Sequence, residues 1–294
     1  MILLNSPYVR ALRPHQWLKN LLIFMPVLAA HRLDARHLFL SFLAFVAFSL
    51  LASSVYIIND LFDIDADRAH PRKRGRPFAS GALKQKQGAR IACCLIVISI
   101  SIGVYVGPMF AFILLCYLII SSAYTAFLKK ELIVDICILA SLYTIRIVAG
   151  GVATSISLSV WLLAFSVFFF LSLAAVKRQA ELVDGISSEK LQVYGRGYRF
   201  DDLPIISNMA LSSGYVSVLI MALYINSPEV IVLYRHPFAI WGICLVLLYW
   251  ISRIVMVTHR GAMHDDPIIY ALKDRISYYC LALILISLIS GVLP

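Results

Sequence analysis

The chain has 294 residues, of which 61% are hydrophobic and only 14% charged, against roughly 45–50% and 25% in soluble globular proteins. A mean hydropathy of +0.85 excludes a water-soluble enzyme built around one buried core, and long apolar blocks exclude disorder, coiled coil and collagen-like repeats. The net charge of +10 points to membrane topology and to anionic headgroups or phosphorylated ligands, not to nucleic acid, since no basic stripe lies on a soluble domain.

In chain order, residues 1–15 carry Arg10, Arg13 and two prolines without a long apolar core, so they do not read as a cleavable signal. A transmembrane helix needs about 20 mostly apolar residues. Nine segments are candidates: 17–31, 38–58, 90–107, 109–127, 132–150, 158–176, 204–225, 237–257 and 276–293. Lys19, Asn20 and Pro26 interrupt the first, and only Gly107-Pro108 separates the third from the fourth. The expected fold is all-α, a polytopic membrane protein of nine transmembrane helices in a single domain over 1–294. The six cysteines show neither zinc-site nor disulfide spacing and read as small hydrophobes.

Under nine spans, 22 of the 26 Lys and Arg residues fall on one side, on the N-terminal flank, the loops 59–90 and 177–203, Lys129-Lys130 and the last loop. The other side holds Arg32, Arg36 and Arg235, and Arg146 lies within a span. This asymmetry predicts a cytoplasmic N-terminus and an outside C-terminus. All acidic residues except Asp34 and Glu229 lie on or beside the same cytoplasmic segments. Orientation does not require carboxylates, whereas a metal bound with a polyanion does.

The sharpest motif is Asn59-Asp60-Leu61-Phe62-Asp63-Ile64-Asp65-Ala66-Asp67-Arg68 at the cytoplasmic end of the second span. On a helix, Asp60, Asp63 and Asp67 fall within about 60° of arc, with Asn59 beside it and Asp65 turned away. Hard oxygen ligands of this kind suit Mg²⁺, whose shell is completed by water and substrate phosphates. The competing reading is a solvated acidic helix end, and Asp65 fits that best. Next comes His70-Pro71-Arg72-Lys73-Arg74-Gly75-Arg76-Pro77, either a diphosphate clamp centred on Lys73 and Arg76 or charge that merely enforces topology. His70 reads equally as a turn residue.

Lys19 inside an apolar segment is costly unless it meets a polar cavity; it reads as a phosphate contact or as snorkelling to the interface. Lys129, with Tyr124 close by in sequence, reads as a phosphate contact or as plain topological charge. Arg146 has Asp135, eleven positions back, as its nearest helical acid, and is expected to meet an anion or a carbonyl cluster. Asp135 would then position cations instead of binding metal. Gly150-Gly151 suggests a tight turn or close helix approach, and Asp201-Asp202 and Asp265-Asp266 read as solvated caps.

The order Asn-Asp-x-x-Asp-x-x-x-Asp, then His-Pro-x-Lys-Arg-x-Arg-Pro, on a nine-span chain resembles the UbiA superfamily of intramembrane prenyltransferases. The resemblance runs almost end to end. It includes Arg13-Pro14-His15-Gln16-Trp17-Leu18-Lys19-Asn20, Tyr124-Thr125-Ala126-Phe127-Leu128-Lys129, the stretch from Ile145 to Thr154, Lys177-Arg178-Gln179-Ala180-Glu181-Leu182 and Ala271-Leu272-Lys273-Asp274-Arg275. It implies a UbiA-type bundle with loops 59–90 and 177–203 capping the active site, and Mg²⁺ held by Asn59, Asp60, Asp63 and Asp67. Members that prenylate aromatic rings have a second Asp-rich motif after span six, where this chain has Lys177-Arg178-x-x-Glu181. Cations there suit a donor richer in phosphate.

The resemblance therefore implies the branch that moves 5-phosphoribose from phosphoribosyl pyrophosphate to a decaprenyl-type polyprenyl phosphate for cell-envelope glycan precursors, with release of pyrophosphate. Lys19, Lys73, Arg76, Tyr124, Lys129, Arg146, Lys177 and Arg178 are the expected substrate contacts. The alternative is an isoprenyl diphosphate donor with an aromatic or glycerol-phosphate acceptor.

Overall fold

The computed structural model describes residues 6–69, 73–187, 197–228, 230, 234–263 and 266–292. The fold is all-helical. Among the described residues, eight helices are long and apolar enough to cross a membrane: α1 Ala35–Phe62, α2 Gln85–Val106, α3 Pro108–Ala126, α4 Val134–Thr154, α5 Val160–Ser187, α6 Leu203–Ile225, α7 Pro237–His259 and α8 Arg275–Val292. The chain divides into two compact units, one comprising 1–126 and 145–158, the other 127–144 and 159–294. Helix α4 gives its first half to unit 2 and its second half to unit 1.

The ninth expected span, 17–31, is where sequence and structure differ. It is not one α-helix: a 3₁₀ run, Pro14–Phe24, is followed by a single short helix, Met25–Ala29. The run lies antiparallel along α1, with Trp17 Nε1 donating to Ser53 Oγ at 2.9 Å, Asn20 Nδ2 to Ser49 Oγ at 2.9 Å, and the rings of Phe24 and Phe45 6.0 Å apart. From Arg13, beside Asp60, to Phe24, beside Phe45, eleven residues pass fifteen of α1. Fifteen α-helical residues rise roughly 22 Å, so the run advances about 2 Å per residue, the 3₁₀ rise.

Its threefold period sorts the side chains. Asn20, Ile23 and Pro26 are buried in one column, whereas Leu18 and Leu21 of another are exposed. Asn20 and Pro26, which look like interruptions in the hydropathy, are thus packing residues. A Cβ on Gly150 would overlap the Ile23 carbonyl, so glycine is needed where α4 meets the run.

Elsewhere in unit 1, α1 buries Ala44, Ala47, Ser49, Ala52, Ser53 and Ser54, small residues that let backbones approach closely. Ser99 Oγ of α2 donates to the Ala47 carbonyl at 2.8 Å. In unit 2, Ala174, Ala175, Val176, Ile206, Ala210, Ile254 and Val255 form one apolar core. Ile225, Ile240, Ile243, Leu247 and Ile251 form a second. Helix α5 has 28 residues and outlasts its apolar stretch by about three turns, which carries Lys177, Arg178 and Glu181 out of that stretch.

Candidate active site

In unit 1 the acidic motif straddles a kink. Helix α1 ends at Phe62, Asp63 takes the C-cap, and a short helix, Ile64–Ala69, follows. The i→i−4 bonds continue across it, Asp63 N–H to the Asn59 carbonyl at 3.0 Å and Asp67 N–H to the Asp63 carbonyl at 2.8 Å. Asp60 and Asp67, seven positions apart, therefore share a face and are both buried, 3% and 2% exposed. Asn59 and Asp63 are half-buried beside them, and Asp65 is 98% exposed, the solvated residue the sequence suggests.

Buried carboxylates cost several kcal/mol unless paired, and here two arginines pair them. Arg76 Nη1 lies 2.7 Å from Asp67 Oδ2 and 3.2 Å from Asp60 Oδ1, so one nitrogen bridges both acids. Arg13 Nη2 lies 2.5 Å from the same Asp60 oxygen, with its guanidinium over the Tyr56 ring. Arg76 is placed by its loop: Phe78 and Leu83 are buried, Arg10 donates to the Gly75 carbonyl at 2.7 Å, and Arg68 Nε donates to the Ala79 carbonyl at 3.2 Å. A Cβ on Gly88 would strike the Phe78 ring. Lys73 is exposed on the same loop. His70 and Arg72 lie outside the described residues.

Among the described residues no group of three or more His, Cys, Asp and Glu is arranged to hold a metal ion. Two buried carboxylates converging on one cationic nitrogen nevertheless fit Mg²⁺, which binds through one or two carboxylates, water and substrate phosphate. Asp60 and Asp67 would be the anchoring pair, with Asn59 and Asp63 adjacent. The sequence flags Arg13 only as the first residue of a resembling stretch and gives it no site role. Arg13 reaches Asp60 only because the 3₁₀ run lies along α1.

Arg146 is 5% exposed and packed inside unit 1. Its Nε donates to Asn20 Oδ1 at 2.8 Å and its Nη2 to the Tyr117 hydroxyl at 3.2 Å, and its guanidinium lies over the Phe48 and Tyr117 rings. The carbonyl expected for it is thus the Asn20 amide, and Arg146 braces the 3₁₀ run where a substrate contact was expected. Lys19, on the same run, and Tyr124, at the end of α3, are half-buried.

In unit 2, Lys129 is half-buried on the 3₁₀ turn Leu128–Lys130. Three residues past that turn, Ile133 is held at φ 64°, a strained value for a β-branched residue, with its N–H donating to the Tyr198 hydroxyl at 3.0 Å. Arg178 differs from expectation. It is 1% exposed, with Nε 2.5 Å from Asp135 Oδ2 and Nη1 bonded to Glu181. Asp135 does position a cation, but that cation is Arg178, so the guanidinium serves carboxylates of its own unit instead of a substrate phosphate. Neighbouring Lys177 is 30% exposed, with Nζ 3.3 Å from Asp266 Oδ2. Asp266 caps the helix Pro267–Ala271 through Ile268 N–H, as the cap reading expects, but it is half-buried, not fully solvated. Asp265 lies outside the described residues.

A decaprenyl-phosphate phosphoribosyltransferase from Mycobacterium tuberculosis is 42% identical over 179 residues, 59% of this chain and 59% of that one. The nodulation protein NoeC of Azorhizobium caulinodans is 37% identical over 93% of this chain and 89% of its own. The chain spans only 54% of the length of another relative, the protein y4nM of Sinorhizobium fredii, at 38% identity. Among solved structures, a UbiA homologue from Archaeoglobus fulgidus bound to DMAPP and Mg²⁺ superposes with a TM-score of 0.68 over 95% of this chain and 99% of that one, at 17% identity. The sequence profile of the UbiA prenyltransferase family matches residues 21–266, and the chain belongs to that family.

Proposed function

We propose that the protein transfers 5-phosphoribose from phosphoribosyl pyrophosphate to a polyprenyl phosphate and releases pyrophosphate, at a site facing the cytoplasm in the bacterial inner membrane. The observation that carries this reading is the pair of buried carboxylates on one face, Asp60 and Asp67, sharing Arg76, in a chain 42% identical over 179 residues to a decaprenyl-phosphate phosphoribosyltransferase. Asp60 and Asp67, with Asn59 and Asp63 beside them, would hold Mg²⁺, which would supply charge neutralisation for a leaving diphosphate.

Arg76 donates to diphosphate oxygens as a charge-assisted, fork-shaped donor, Arg13 holds Asp60 in place, and Lys73 and Lys19 add positive charge to the same unit. Lys129 and Lys177 are assigned to donor phosphates on charge and exposure alone. The acceptor phosphate is anionic at neutral pH, so no side chain is needed as a base, and direct displacement inverts the anomeric carbon. Arg178 drops out of the phosphate argument because Asp135 and Glu181 already neutralise it. The preference for a phosphate-rich donor therefore rests on the relative and on Lys177.

The alternative, an isoprenyl diphosphate donor, draws on the Archaeoglobus homologue bound to DMAPP. Purified protein with Mg²⁺ and a polyprenyl phosphate separates the two. Chelator-sensitive pyrophosphate release that requires both phosphoribosyl pyrophosphate and the lipid is expected. Release from an isoprenyl diphosphate alone reverses the assignment.

A further inference from the structure

We infer that Arg76 is an exchangeable counter-ion, standing where the divalent cation sits and moving to the diphosphate as metal enters, so that metal and diphosphate bind as a coupled pair. The inference rests on the reading of Asp60 and Asp67 as metal ligands and deepens it. A single Arg76 nitrogen touches one oxygen of each carboxylate, at 3.2 and 2.7 Å. The two acids are sealed at 3% exposure, whereas the Arg76 side chain is 29% exposed and has room to leave. Its backbone does not need to follow, because the Arg76 N–H is fixed to the Lys73 carbonyl at 2.9 Å and buried Phe78 anchors the chain beyond it.

Arg13 behaves differently. It stands on a left-handed backbone at φ 51° with its guanidinium over Tyr56, and it stays with Asp60.

Charge explains the coupling. Two carboxylates and two guanidinium groups balance. A divalent ion added alone meets an already neutralised pair and must displace Arg76, while a diphosphate added alone meets two buried carboxylates. Added together, the metal takes the carboxylates and the released guanidinium takes phosphate oxygens, so neither ligand faces an uncompensated like charge. Each ligand then raises the affinity of the other by the same factor, as linkage requires.

The test uses the full chain in detergent, with Mn²⁺ binding followed by electron paramagnetic resonance at matched free Mn²⁺, with and without inorganic pyrophosphate. Wild-type protein is expected to bind Mn²⁺ about 10-fold or more tighter with pyrophosphate, within the usual range of coupling. Arg76→Gln is expected to bind Mn²⁺ alone about 10-fold tighter than wild type, with the pyrophosphate enhancement reduced to about 3-fold or less. Arg74→Gln, an exposed cation on the same turn, is expected to leave both numbers unchanged, which separates contact exchange from a general field effect.

Equal Mn²⁺ affinity in Arg76→Gln and wild type with the enhancement intact overturns the inference, as does an Arg74→Gln effect of the same size. Absence of enhancement in wild type overturns it without any variant, so the test survives a poorly folding mutant. Mn²⁺ binding unchanged in Asp60→Asn/Asp67→Asn protein sinks the metal reading itself. Loss in that double variant with no effect of Arg76→Gln sinks only the exchange.

Discussion

The two units solve one electrostatic problem in opposite ways. Each places aspartates against arginine near the end of a long apolar helix, but in unit 1 the bridging arginine is reachable from solvent, at 29% exposure, and in unit 2 both Arg178 and Asp135 are sealed, at 1% and 0%. A sealed pair cannot be exchanged, since separating it leaves a bare charge in a low dielectric. A pair with one exposed member can trade that member for a ligand. Burial of the cation therefore distinguishes a site from a strut.

That contrast can be broken by experiment. The largest expected effect is on turnover. Asp60→Asn or Asp67→Asn should lower pyrophosphate release at least about 100-fold while thermal unfolding shows a folded protein. Near-normal turnover in either would reduce unit 1 to a strut as well. In unit 2 the effect should fall on stability. Asp135→Ala leaves buried Arg178 with Glu181 alone and should cost up to about 3 kcal/mol, read as a lower unfolding temperature in detergent, and a double replacement Asp135→Leu/Arg178→Met should recover much of it. A variant as stable as wild type but inactive would instead return Arg178 to the substrate.

Smaller effects sharpen the picture within each unit. Gly150→Ala forces a methyl into the Ile23 carbonyl and should cost about 1–3 kcal/mol by overpacking; no change in unfolding temperature would mean that the 3₁₀ run moves freely off α4. The smallest concerns Asp274. Burial tends to raise its pKa, but hydrogen bonds from Arg253, with its Nη1 2.7 Å away, and from Ser277 outweigh that and hold the carboxyl below its ordinary value. Its stabilisation is therefore present above the ordinary carboxylate pKa and lost as pH falls through the lowered one. Asp274→Asn should lower stability near neutrality and flatten the acid limb of the unfolding-temperature profile. Parallel profiles for the two proteins would contradict this.

The site was legible from the chain where helical periodicity carries it. Asp60 and Asp67 share a face because seven residues bring a helix back to within about 20° of itself, and Asp65 points outward for the same reason. Partners that arrive from elsewhere left no local trace. Arg13 and Asp60 are 47 positions apart, Asn20 and Arg146 126, and Lys177 and Asp266 89, and no periodicity within one element reports such pairings.

The amino-acid sequence by itself determined the all-helical membrane class, the positions of eight long helices and the facing acidic pair, because hydropathy and the 3.6-residue repeat are local properties. Only the tertiary structure decided that the first apolar segment lies along α1 as a 3₁₀ run. It also decided that Arg146 and Arg178 are bound up inside their own units and that Arg76 sits between two aspartates. Those outcomes depend on which surfaces pack together, and the free energy of a buried charge is set by neighbours that the chain brings from far away.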